Sequence, residues 1–211
     1  MDKKNIDYSL YLVTDRDIMF GDSIEETVRN AVIGGCGIVQ LREKNCTSRE
    51  FYNIAVKLKK ICGDLNVPLI INDRADIALA ADCDGVHIGQ KDLPAEYVRK
   101  IIGDDKIMGV SASNLEKALE AEKNGADYIG VGAVFTTSTK EDTNPVSPGQ
   151  LAEIKKAVKI PVVAIGGIKK DNIGMLKGTG IDGVAVVSAI ISKLDTMKAA
   201  REMKNAVRSV L

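Results

Sequence analysis

Eight short runs rich in Val and Ile recur roughly every 25 residues along this chain, and a helix-like stretch separates each from the next. Strands are expected at residues 10–14, 37–42, 69–72, 85–88, 107–110, 128–132, 162–166 and 183–187. A connection long enough to hold a helix can return the chain to start a parallel neighbour, which a hairpin cannot do. Eight such units in 211 residues are what a closed parallel barrel needs, so the expected fold is a single-domain α/β (β/α)8 TIM barrel over residues 1–211.

Local signals agree with that division. Ser23-x-x-Glu26, Thr47-x-x-Glu50 and Ser113-x-x-Glu116 read as capping boxes, in which a hydroxyl and a carboxylate satisfy the first unpaired amides of a helix. Ser113 is the N-cap expected for the fifth helix. Gly34-Gly35, Gly63, Gly125 and Gly178 fall near helix ends, where a left-handed residue costs least without a Cβ. Pro68 and Pro161 stand just before strands, where no ladder donor is needed. In the last stretch, Leu194, Met197, Ala200, Ala206 and Val210 recur at helical spacing and are expected to face the core.

Composition excludes several functions. The net charge is zero, so no overall field favours a nucleic acid or an anionic membrane. No apolar run reaches the ~20 residues that span a bilayer. Four cysteines, Cys36, Cys46, Cys62 and Cys83, lie too far apart for a Cys-x-x-Cys pair and are expected as reduced thiols of a cytoplasmic protein. His87 is the single histidine, which excludes multi-histidine zinc sites and weakens any nucleophile–histidine scheme.

In a parallel barrel the C-terminal end of every strand opens on one rim, so residues distant in sequence converge there. Gln40, Arg42 and Lys44 alternate out of the second strand, and two cations with an amide donor suit phosphate oxygens. Asn72-Asp73 closes the third strand and Asp92 follows the fourth; two carboxylates on neighbouring loops fit Mg²⁺, which takes one or two of them and fills its octahedron with phosphate oxygens and water. Ser111 follows the fifth strand, and Thr137, Ser138, Thr139 and Lys140 offer hydroxyls and an ammonium after the sixth. Gly166-Gly167 and Val187-Ser188 close the last two strands, where barrels often bind phosphate through loop amides. Glu43 reads as a solvated charge and His87 as a hydrogen-bonded structural residue. Gly130-x-Gly132 is followed by Phe135 where a dinucleotide fingerprint needs glycine, and no Walker-type lysine loop is present.

Taken in order, Tyr11-Leu12-Val13-Thr14-Asp15, Gln40-Leu41-Arg42-Glu43-Lys44, Ile71-Asn72-Asp73-Arg74, His87-Ile88-Gly89-Gln90-x-Asp92, Gly109-Val110-Ser111, Thr137-x-Thr139-Lys140, Ile165-Gly166-Gly167-Ile168 and Val187-Ser188-Ala189-Ile190 resemble the thiamine-phosphate synthase family across nearly the whole chain. The resemblance implies a transferase that joins 4-amino-2-methyl-5-hydroxymethylpyrimidine diphosphate to a thiazole phosphate, with Mg²⁺ as cofactor. It implies that Gln40, Leu41, Arg42, Glu43, Lys44, Asn72, Ser111 and Lys140 surround the pyrimidine diphosphate, with Arg42, Lys44 and Lys140 carrying catalysis. By the same resemblance Asp73 and Asp92 bind the metal, and Thr137, Ser138, Thr139, Gly167, Val187 and Ser188 hold the thiazole phosphate. The family often has histidine two residues after the position of Ser111, and the related thiazole tautomerases depend on it; this chain has Ser113 there. A sugar-phosphate isomerase or lyase barrel, and a non-catalytic regulator that binds the product, are the alternatives. Small-molecule substrates are the only partners indicated, and oligomeric state is left open.

Overall fold

The computed structural model describes residues 3–21, 23–136 and 145–211. Eight strands, β1 (Leu10–Val13), β2 (Ile38–Leu41), β3 (Leu69–Asn72), β4 (Gly85–Ile88), β5 (Ile107–Ala112), β6 (Tyr128–Gly132), β7 (Val162–Ile165) and β8 (Gly183–Val186), pair in parallel in chain order. β1 closes the ring on β8 through Leu10↔Val184 and Leu12↔Val186. The expected barrel is therefore the observed fold, with strand ends moved by one or two residues.

Helices α1 (Ile24–Ile33), α2 (Ser48–Asp64), α3 (Ala75–Ala80), α4 (Ala95–Ile102), α5 (Leu115–Lys123) and α6 (Pro148–Ala157) form the first six crossovers. The seventh is a 3-10 turn, Ile173–Leu176, in a segment carrying Gly166, Gly167, Gly174, Gly178 and Gly180. Glycine loses the most backbone entropy in a helix, and four of these adopt positive φ, so no regular helix forms there. The short α7 (Ser188–Ile191) and the longer α8 (Thr196–Arg208) complete the ring.

Alternation divides the strands between two apolar layers. Leu10, Leu12, Val39, Leu41, Ile71, Val86, Val131 and Val184 point outward and pack with the helices. Tyr11, Val13, Ile38, Ile70, Ile107, Tyr128, Val163 and Ala185 fill the barrel. Each buried aliphatic side chain contributes about 1.5–3 kcal/mol relative to exposure, which makes the outer layer the larger source of stability. Glycine makes room for the two large interior side chains. A Cβ on Gly109 would overlap the Tyr128 phenol and lie 2.5 Å from His87 Nδ1, and one on Gly130 would lie 3.1 Å from the same imidazole.

A repeated clamp holds the N-terminal end of the barrel. Asp84, Asp127 and Asp182 each stand just before an even-numbered strand and accept the backbone N–H of Leu69, Met108 and Val162 at 2.9, 2.8 and 2.7 Å. Each also pairs with a cation from a preceding helix: Lys59, Arg99 and Lys155 at 2.7, 2.6 and 2.6 Å. The sequence carries this as Asp-Gly-Val, Asp-Tyr-Ile and Asp-Gly-Val, a periodicity whose partners lie 15 to 28 positions away.

Four expectations are corrected. Ser113 is not the N-cap of α5: β5 runs on to Ala112, the helix begins at Leu115, and the Asn114 side chain accepts the Lys117 N–H at 2.9 Å. Ser113 Oγ instead receives Lys117 Nζ at 3.2 Å. Gly63 lies inside α2, and Asn66, with φ of 56°, takes the left-handed turn that ends it. Leu194 is 81% exposed because it precedes the N-cap Asp195; the buried face of α8 is Thr196, Ala200, Met203, Lys204 and Val207. Glu43 is not solvated: its side chain is 4% exposed and clasped by Arg16 at 2.6–2.9 Å.

Candidate active site

The loops after β2, β3 and β4 bring the first group of side chains together. Arg42 is fixed at two points: its N–H donates to Thr14 Oγ1 at 3.0 Å, and its guanidinium meets Asp15 Oδ2 at 3.1 Å. Thr14 and Asp15 leave β1, so the Arg42 loop is tied to the neighbouring loop. Arg16 extends the tie through Glu43 and Glu50. Those two carboxylates hold the Arg16 guanidinium above its ordinary pKa, so it stays charged throughout. Lys44, half exposed, reaches Asp73 Oδ2 at 3.3 Å.

Asp73 has φ of 63°, a left-handed conformation that Asp tolerates better than most side chains. Its N–H donates to the carbonyl of His87 at 2.8 Å, which pins the loop to β4. Asp92 lies opposite, with Oδ2 accepting the Gly89 N–H at 2.6 Å. Burial raises the Asp92 pKa, the Gly89 bond opposes that rise, and the adjacent Asp73 carboxylate adds to it. Two carboxylates thus face each other with one ammonium beside them. Among the described residues no third His, Cys, Asp or Glu joins them.

Below this rim, polar side chains cross the barrel interior in one chain. Gln40 Nε2 donates to Tyr11 OH at 2.8 Å, and Tyr11 OH lies 2.8 Å from Tyr128 OH. Tyr128 OH is 2.9 Å from His87 Nδ1, and His87 Nε2 is 2.9 Å from Ser111 Oγ. Gln40 and His87 are buried, and both phenols are almost fully buried. Burial raises both phenol pKa values well above the ordinary value, so both keep their hydrogens. His87 is a hydrogen-bonded interior residue, as its strand position suggested. Tyr11 and Tyr128 are the site residues that sequence reading missed, because an inward Tyr in a strand reads as packing.

The remaining candidates divide. Asn72 ends β3 half-buried, and the Ser111 carbonyl accepts Gln90 Nε2 at 2.7 Å. Leu41 is fully buried on the helix-facing side, so its side chain is turned away from the mouth. Gly166 and Gly167, with φ of 106° and 62°, press against residues 133–136; a Cβ on Gly167 would lie 2.6 Å from the Thr136 carbonyl oxygen. The Phe135 N–H donates to Gly166 O at 3.0 Å, and Asn172 Nδ2 to Gly167 O at 2.9 Å. These glycines therefore serve both a turn and a close backbone approach. Val187 is half-buried and Ser188, exposed, opens α7 beside a cavity of about 650 Å³ lined in part by Lys169, Lys170, Lys193 and Lys198. Thr137, Ser138, Thr139 and Lys140 lie outside the described residues.

Residues 10–190 match the family model described as thiamine monophosphate synthase. It belongs to the thiamine-phosphate synthase family. That places it among the transferases of thiamine biosynthesis. The chain is 59% identical over 203 residues to thiamine-phosphate synthase of Clostridium beijerinckii, covering 96% of this chain and 97% of that one. It is 57% identical over 202 residues to the Clostridium botulinum protein of the same name, covering 96% and 95%. Among solved structures, thiamine phosphate pyrophosphorylase from Pyrococcus furiosus superposes with a TM-score of 0.90 at 42% identity, covering 98% of both chains. Among the described residues no helix is long and apolar enough to cross a membrane.

Proposed function

We propose that this chain joins 4-amino-2-methyl-5-hydroxymethylpyrimidine diphosphate to thiazole phosphate, releasing pyrophosphate and forming thiamine phosphate in the cytoplasm. The observation that best supports it is the meeting of Arg42, Lys44, Asp73 and Asp92 at one rim of a barrel of this family. Arg42 offers a planar fork and Lys44 a movable point charge, and both suit a diphosphate whose charge grows as it departs. The aminopyrimidine stabilises a methylene cation as the C–O bond to diphosphate breaks, and the thiazole nitrogen lone pair then forms the new C–N bond. Neither step needs a protein nucleophile, so the protein contributes charge stabilisation and positioning. Lys140, Asn72, Ser111 and Gln40 complete the pyrimidine side in this reading, and Thr137, Ser138, Thr139, Gly167, Val187 and Ser188 hold the thiazole phosphate.

Asp73 and Asp92 fit Mg²⁺: a repelling carboxylate pair that no third His, Cys, Asp or Glu joins among the described residues suits an ion that keeps water and takes phosphate oxygens. When bound, Mg²⁺ would neutralise diphosphate charge and strengthen it as a leaving group. Lys44 supplies the ammonium that offsets Asp73 before the ion arrives. A single-turnover assay with both substrates and Mg²⁺ tests the proposal. Thiamine phosphate and pyrophosphate in equal amounts are expected; binding of thiamine phosphate without its synthesis would identify a regulator instead.

A further inference from the structure

Gln40 Nε2, as the donor to Tyr11 OH, sets the direction of the whole chain of hydrogen bonds under the mouth. Gln40 Nε2 donates to Tyr11 OH, so the Tyr11 hydrogen goes to the other partner of that oxygen among the described residues, Tyr128 OH. Tyr128 has then accepted once, and its own hydrogen goes to His87 Nδ1. An imidazole that accepts at Nδ1 carries its proton at Nε2 and donates it to Ser111 Oγ. The Ser111 hydroxyl hydrogen is thereby left to point elsewhere, at the mouth end of β5. At the other end, Gln40 keeps its carbonyl oxygen out of the relay.

The geometry points to a polarity lock: Tyr11, Tyr128 and His87 are positioning residues that fix Gln40 as a hydrogen-bond acceptor and Ser111 as a donor toward the ligand. Reversing either end requires reversing every bond between them, because each buried hydroxyl has one hydrogen and leaving a buried donor or acceptor unpaired costs its full desolvation penalty. The inference rests on the reading that Gln40 and Ser111 face the pyrimidine. A 4-aminopyrimidine matches the lock, since its exocyclic N–H donates and its ring nitrogen accepts. The 4-oxo analogue presents the opposite pattern, a carbonyl acceptor beside a ring N–H donor. Sites built to pair a substrate's polar groups reject mismatched analogues strongly because their own buried groups lose partners. The relay therefore makes the barrel interior a determinant of amino-over-oxo specificity, from residues below the ligand.

His87 is the single histidine in the chain, so ¹⁵N-histidine NMR of the full protein reads its tautomer without assignment. The wild type should show a protonated Nε2 and a pyridine-like Nδ1 at pH 7.5. A protonated Nδ1, or an imidazolium, would overturn the lock. Tyr128→Phe removes the donor to Nδ1 and should bring mixed tautomers; if that variant fails to fold, Tyr11→Phe frees Gln40 to turn while Tyr128 still donates to Nδ1, so there the tautomer should hold and the amino-over-oxo preference should fall at least tenfold. Calorimetry with the amino and oxo pyrimidine diphosphates gives the second readout. The wild type is expected to prefer the amino compound at least 100-fold, and Tyr128→Phe to lose at least tenfold of that ratio. An unchanged ratio in a variant whose tautomer preference is gone would refute the specificity role. If the wild type shows the Nε2–H tautomer yet binds neither compound, the lock is supported and the substrate reading fails.

Discussion

Replacing Asp92 with asparagine should make the metal-free protein more stable while removing its response to Mg²⁺. Asparagine keeps the shape and still offers an oxygen to the Gly89 N–H, so the hydrogen bond at 2.6 Å survives. It removes a charge that burial and the facing Asp73 carboxylate both disfavour. Two unit charges in contact repel by about 4 kcal/mol at an effective dielectric near 20. Asp92 is partly exposed and Lys44 lies beside the pair, so solvent and that ammonium cancel most of the repulsion, and Asp92→Asn is expected to gain about 1 kcal/mol at pH 7. For a chain of this size that is a rise of about 2–4 °C in Tm. The sign with pH follows from the raised pKa. The native state binds the Asp92 proton more tightly than the unfolded chain, so stability present below the ordinary carboxyl pKa is lost as pH rises through the raised one. The variant's advantage should accordingly be absent near pH 3, grow through the carboxylate range and be complete at pH 7. Urea unfolding at both pH values in EDTA measures it. Adding Mg²⁺ with inorganic pyrophosphate should raise the Tm of the wild type and leave the variant unmoved. A variant less stable than wild type at pH 7, or one equally advantaged at both pH values, would refute the account of this pair.

Asn114→Ala should cost about 1 kcal/mol by removing the cap of α5, whereas Ser113→Ala should cost less than about half of that, in urea unfolding. Gly63→Ala should stabilise by about 0.5–1 kcal/mol, since the site is helical and a Cβ there meets open space. Gly109→Ala should cost about 1–3 kcal/mol, because its Cβ would push into Tyr128 and His87, and circular dichroism melts would show it. Ser188→Asp should weaken thiazole phosphate in calorimetric titration by placing a carboxylate beside it, with pyrimidine diphosphate affinity changing far less; equal loss for both would refute separate subsites.

The barrel was legible in the sequence because its signal is local. A run such as Leu69–Asn72, preceded by Pro68 and followed by a helix-like stretch, needs no knowledge of distant residues, and eight repeats leave closure as the economical topology. Hydrophobic alternation likewise placed Gln40 inward and put Asp73 and Asp92 on adjacent loops. Capping was legible only within a residue or so: Ser113 and Asn114 are both good caps by type, and which one serves depended on how far β5 continues before its pairing with β6 ends at Ala112↔Val131. What tertiary structure alone decided is every contact whose partners come from different strands. Glu43 looked like one more surface charge until Arg16, 27 positions away, enclosed it. The relay from Gln40 to Ser111 needs Tyr11, Tyr128 and His87 from three further strands to meet at hydrogen-bond distance. Periodicity says which way a side chain points; only the closed register of the barrel says what it meets there.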